Sequence, residues 1–194
     1  MAKKIASLFF LVWFSAGFAQ ISFAAVYKVE LLVFSQSMPN TEVLVQTTTQ
    51  LKWPERWLEI ATPAVANQNS VVIAPLAGLS NAYNQLAHHS NYSILLQTAW
   101  MQPIEVNQAA PTIHFTDVAN TLNGFITIKS GAALEVQIDA EYTQQADSAS
   151  YTGNIELRKR VYRINEQRIV PLNEAHYFDH PNFGIIALIT PVTP

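Results

Sequence analysis

A chain of 194 residues, 49% of them hydrophobic and only 13% charged, carries enough apolar material for one sizeable core. Its formal charge of −3 offers no basic surface for nucleic acid. The lack of any cysteine excludes a disulfide framework, a thiolate nucleophile, a cysteine-zinc site and a lipid-modified cysteine.

Lys3 and Lys4 precede an uncharged apolar stretch over residues 5–18, and Ser22-Phe23-Ala24 places small residues at the −3 and −1 positions of a cleavage site. Residues 1–24 therefore read as a secretory signal peptide, with cleavage after Ala19 or Ala25 and an uncleaved anchor as alternatives. Removal of the two lysines takes the formal charge from −3 to −5 and leaves one domain, residues 25–194, with no stable membrane insertion. Export without a lipid anchor implies a periplasmic location.

Residues 26–34 (VYKVELLVF) are β-branched and aromatic and predict a strand with Tyr27, Val29, Leu31 and Val33 on one face. Pro54 suits the first position of a short helix over residues 54–60, carrying Trp57 and Leu58. A short strand is expected over residues 71–73. Ser80 can cap a helix reaching about His89 with Tyr83 and Leu86 buried. Alternation then places Tyr92, Ile94, Leu96, Thr98 and Trp100 on one face of a strand. Residues 122–129, the Ser130-Gly131 turn and the alternating segment 134–142 predict a hairpin with one wet face. Residues 155–164 predict a further strand, and a last hairpin joins 172–178 to 183–190. The sum is an α+β domain: a mostly antiparallel sheet with one or two short helices.

Three groups of residues have the types that chemistry needs. His176, Asp179 and His180 are metal-competent, yet Asp179-His180-Pro181-Asn182 also has turn composition between β-like flanks, and the turn reading accounts for the spacing better. Glu135, Asp139 and Glu141 share a strand face and offer a carboxylate pair, although a solvated polar row is the commoner meaning. Arg158, Lys159, Arg160, Arg163 and Arg168 hold five of the nine positive charges beyond residue 24. They can bind an anionic ligand or simply protect an edge strand. Trp53, Trp57 and Trp100 can stack on sugars or fill the core. No G-x-S-x-G, S-x-x-K or H-E-x-x-H string occurs, so no catalytic residue, metal or cofactor is assigned.

The string His176-Tyr177-Phe178-Asp179-His180-Pro181-Asn182-Phe183-Gly184, with Ile189-Thr190-Pro191 after it, resembles the C-terminal end of the CsiV family of periplasmic peptidoglycan-binding proteins. The opening strand, the segment from Tyr92 to Pro103 and the Gly124-Phe125-Ile126-Thr127-Ile128 hairpin are similar to that family as well. The resemblance implies a non-enzymatic accessory of cell-wall synthesis. Its implied partners are peptidoglycan and, beyond it, a class A (bifunctional) penicillin-binding synthase with its lipoprotein activator. The ligand-binding residues expected from the basic strand and the C-terminal turn are Arg158, Arg160, Arg163, Arg168, His176, Tyr177 and His180. A scaffold that contacts only protein, or an envelope hydrolase, are the alternatives.

Overall fold

The computed structural model describes residues 25–37, 50–145 and 159–192. The expected signal peptide, the start of the strand placed at residue 155, and Arg158 lie outside the described residues. Ten strands and one helix are seen among those described. They are β1 (Ala25–Gln36), β2 (Leu58–Ala61), β3 (Ser70–Val72), α1 (Ser80–Ala87), β4 (Tyr92–Ile104), β5 (Ile113–Thr116), β6 (Leu122–Ser130), β7 (Leu134–Gln145), β8 (Lys159–Val170), β9 (Ala175–His180) and β10 (Phe183–Pro191). The helical part of the α+β expectation thus reduces to α1, and the described chain is mostly strand.

The strands form two sheets. The first is antiparallel with order β4-β1-β10-β9, and the second is mixed with order β3-β2-β5-β6-β7-β8. Their inner faces share one cluster of buried residues. Val29, Leu31 and Val33 of β1 and Ile185, Ala187 and Ile189 of β10 meet Ile126 and Ile128 of β6 and Val136, Ile138 and Ala140 of β7. Period-two alternation produces this directly, because successive side chains of a strand leave on opposite faces. The two sheets are stitched at one edge, where the Ala74 N–H donates to the Ala99 carbonyl at 2.7 Å.

The outer face of the four-stranded sheet is covered by α1. Leu32, Leu79 and Leu188 form a second buried cluster, with Tyr83, Leu86, Ile94 and Ile186 around it. Ser80 is the first helical residue rather than the cap; Leu79 holds the cap position and makes no side-chain cap bond. The chain just before the helix is held instead by Glu30, whose carboxylate accepts the N–H groups of Ala77, Gly78 and Leu79 at 3.0–3.4 Å.

Two further expectations are corrected. Residues 54–60 form no helix: Leu58 and Glu59 pair in parallel with Ile113 and His114, and Glu59 to Ala61 with Ser70 to Val72. The partners of this segment are distant in sequence, and their pairing overrides the helix-start chemistry of Pro54. In β4, pairing with β1 passes from Val33↔Leu96 to Phe34↔Ile94, which leaves Leu95 as a bulge. Tyr92 and Ile94 therefore leave on the helix side, whereas Leu96 and Trp100 face the main core.

Candidate functional site

The C-terminal hairpin is tight, with Pro181 and Asn182 alone between β9 and β10. Pairing of His180 with Phe183, Phe178 with Ile185 and His176 with Ala187 puts these β9 residues at core-facing positions. Tyr177 and Asp179 leave on the opposite face, so His176, Asp179 and His180 do not converge on one point. The Tyr177 ring stacks on Phe34 (6.0 Å between centroids, 9° between planes), and its hydroxyl donates to Asp179 Oδ1 at 2.6 Å. Burial and then this bond to a carboxylate push the phenol pKa up. His180 lies between the rings of Tyr162 and Phe183, 5.4 and 5.6 Å away. Its Nδ1 accepts the Asn182 N–H at 3.1 Å, and burial pushes its pKa down against the opposing charge of Asp179. His176 Nε2 meets the Pro171 carbonyl at 3.2 Å. His176, Tyr177, Asp179 and His180 thus each have a partner that shapes the corner, whereas the Asn182 side-chain oxygen is buried without one.

The basic residues of β8 do not form one patch. Arg160 and Arg168 have even parity and Arg163 odd, so they leave the strand on opposite faces. Arg160 is exposed opposite Gln144. Arg168 pairs with Glu166, donates to the Tyr177 carbonyl at 2.9 Å and places its guanidinium 5.1 Å from the centre of the Phe178 ring. It joins β8 to the C-terminal hairpin. Arg163 faces the other way, onto the outer face of the six-stranded sheet. Among the six expected residues that are described, Arg163 thus leaves on a different face of its sheet from Arg160 and Arg168, and Tyr177 on a different face from His176 and His180.

The outer face of that sheet holds the more developed concavity. Its 780 Å³ lie within the range of ligand sites, roughly 300–1,000 Å³. The lining comes from Thr127 and Phe125 on β6, Asp139 and Gln137 on β7 and Arg163 and Asn165 on β8, with Thr112 before β5. Lys52 and Pro54 close it from the segment before β2. That segment is pinned to the sheet at several points. Arg163 Nη1 donates to the Gln50 carbonyl at 2.9 Å, and the Leu51 N–H bonds to Glu141. Trp53 packs on Phe125 and on His114, both at 5.1 Å, while the Trp57 indole N–H donates to Glu59 Oε1 at 2.8 Å. Glu59 in turn meets His114 Nδ1 at 2.9 Å.

The charges in the groove are matched. Arg163 Nε and Nη2 donate to the two oxygens of Asp139 at 2.8 and 2.7 Å, and Glu141 lies 3.9 Å from Nη1. The bond to Asp139 raises the guanidinium pKa further. Burial raises that of Glu141, against the pull of Arg163, and its Oε1 is buried without a hydrogen-bond partner. Glu135 pairs instead with Gln167 and Lys129, which lower its pKa. The carboxylate row on β7 is thus engaged in ion pairs rather than arranged as two facing acids.

The tryptophans divide as their types allow. Trp100 is fully buried, with its indole N–H on Gln102, whereas Trp53 is 54% exposed at the border of the groove. Of the residues expected to bind ligand, only Arg163 lines this groove; Thr127 and Gln137 fall on strands expected from the sequence, whereas Thr112 and Asn165 lie beyond every expected strand. Among the described residues no three metal-competent side chains cluster, and no helix is long and apolar enough to cross a membrane.

No curated protein and no solved structure matches the chain. The family model described as peptidoglycan-binding protein, CsiV, matches residues 6–192, nearly the whole length. This agrees with the likeness carried by the HYFDHPNFG corner, and the chain belongs to the CsiV family.

Proposed function

We propose that this protein binds peptidoglycan without catalysis and that the groove on the outer face of the six-stranded sheet is where it does so. The observation that carries the reading is the groove itself. It combines an apolar floor at Phe125 with hydroxyl, amide and ion-paired side chains from three adjacent strands and the residue before a fourth. Its carboxylates are already bound to Arg163, which suits holding a polymer better than cleaving one. In this reading the protein works in the periplasm after export. There it acts as an accessory to a bifunctional penicillin-binding synthase and its lipoprotein activator. Membership of a family described as peptidoglycan-binding supports the ligand.

The test is co-sedimentation with purified sacculi. The protein should partition into the pellet, and the muropeptide profile of the sacculi should stay unchanged after long incubation. Protein that remains in the supernatant overturns binding. Release of muropeptides that depends on Asp139 or Glu141 overturns the non-catalytic role.

A further inference from the structure

We propose that the groove takes the sugar strand of the polymer, through two linked N-acetylated amino-sugar rings, and not the carboxylates of the stem peptides. This rests on the peptidoglycan-binding reading above and narrows it to one chemical class.

Charge in the groove disfavours the stem peptides. A site for stem-peptide carboxylates needs a cation whose charge is still available for a charge-assisted bond. Arg163 is held by two short bonds to Asp139, with Glu141 beside it and the Gln50 carbonyl on Nη1. Lys52 is the other cation in the lining, and it is exposed at the mouth. With Lys52 and Arg163 set against Asp139 and the adjacent Glu141, the groove is close to neutral. At Arg163 an anion would have to compete with carboxylates already in place, which leaves the exposed Lys52 at the mouth as a single solvated charge.

Hydrogen-bonding capacity in the groove suits a sugar. Among the described residues, Gln137 and Asn165 make no side-chain hydrogen bond, yet both face the groove. Each offers one acceptor and two donors, which match an acetamido group and ring hydroxyls. Thr112 and Thr127 share one bond at 2.8 Å and keep further lone pairs for the ligand. Thr127, Gln137 and Asn165 come from three adjacent strands, so the polar row spans roughly 10 Å at the usual strand spacing. That is the reach of two joined pyranose rings.

Apolar surface borders the polar row. Pro54 supplies a wall, Phe125 lies 4% exposed beneath the Trp53 ring, and Trp53 leaves about half its own surface open at this border. Sugar rings present C–H faces that such surfaces cover, while their edges carry the polar groups.

Glycan strands stripped of peptide by an amidase, and the released stem peptides, are tested as competitors for retention of the protein on sacculi. Tryptophan emission is followed in parallel. The stripped strands should displace the protein and change the emission; the peptides should do neither. Gln137→Ala with Asn165→Ala should weaken binding of the stripped strands about tenfold, from the loss of two hydrogen bonds of ordinary strength. Circular dichroism confirms that this double variant, altered only on the sheet's outer face, stays folded. Displacement by peptides and not by strands overturns this inference while leaving peptidoglycan binding intact, as does a folded double variant that binds strands like the parent. A parent protein that sacculi do not retain overturns both.

Discussion

Arg163 on β8 clasps Asp139 on the neighbouring β7 with two parallel hydrogen bonds, Nε to Oδ1 at 2.8 Å and Nη2 to Oδ2 at 2.7 Å. Five residues along the same strand, Arg168 reaches the opposite side and ties down the C-terminal hairpin through the Tyr177 carbonyl. The two arginines look alike in sequence and do different work. One organises the floor of the groove and its covering segment. The other is a clasp at the sheet edge.

Their environments predict unequal costs. The Arg163 side chain is 8% exposed, and removing it leaves Asp139 and Glu141 without their cation in a desolvated place. Arg163→Ala should cost about 3 kcal/mol, the lower end of the range for breaking a buried pair. Arg168 is 47% exposed, and Arg168→Ala should cost about 1 kcal/mol or less. For a chain of this size each kcal/mol moves Tm by roughly 2–4 °C. Thermal melts of the two variants side by side would refute the assignment if they fell by the same amount.

Glu30 is a second test. It is 2% exposed and receives three backbone N–H groups and the Lys28 ammonium, which lies at 2.8 Å. Burial alone would raise its pKa, but the Lys28 bond and the N–H groups of Gly78, Ala77 and Leu79 outweigh it, and the net shift is downward. A depressed carboxyl pKa stabilises the fold above the unfolded value, about 4.3, and that contribution disappears as pH falls through the folded value. Glu30→Ala strands the three N–H groups and should cost about 3 kcal/mol at pH 7. In urea titrations the gap between parent and variant should shrink below pH 4. A constant gap would mean that the carboxylate charge contributes nothing.

The sequence disclosed strand alternation well and neighbour relationships poorly. Leu134 to Tyr142 alternate so regularly that both faces of β7 were readable from residue types. The HYFDHPNFG corner was readable too, because turn chemistry is local. The strand at Leu58 was not, since its pairing with Ile113 and with Ser70 depends on segments far along the chain. Nor was the bulge at Leu95, where one added residue reverses the faces of Tyr92 and Ile94. The split of the basic strand was available in the numbering: 163 is odd and 168 even, so one strand cannot present both on one face. The groove was hidden for a different reason. Its amides and hydroxyls are single residues on three strands, and only the sheet order makes them neighbours.

Gly184 shows why the corner motif ends in glycine. It sits opposite Asp179 and Phe34 in the pairing, beneath the stacked rings of Tyr177 and Phe34. A Cβ there would meet Tyr177 Cε2 at 2.5 Å and Phe34 Cζ at 2.8 Å. Gly184→Ala should therefore destabilise by about 1–3 kcal/mol through overpacking. Adding Tyr177→Ala removes the nearer obstacle, so the double variant should lose less than the sum of the two singles. Strict additivity in denaturant melts would show that the stack does not constrain this position.

His180 predicts a pH dependence of stability. Burial between Tyr162 and Phe183 lowers its pKa, with Asp179 opposing, and Nδ1 is occupied as acceptor of the Asn182 N–H. As pH falls below the unfolded value, about 6.5, the unfolded chain takes up a proton that the folded corner resists. Stability must then decline with acidification until the folded pKa is passed. His180→Asn keeps a side-chain acceptor for the N–H two residues on and cannot titrate there. The variant should be less stable than the parent at pH 7, having lost the ring packing. Between pH 7 and pH 5 the parent should lose a few degrees of Tm that the variant does not, since other titrating groups are common to both. A difference in Tm that stays constant across this window would place the imidazole outside the coupling between protonation and folding.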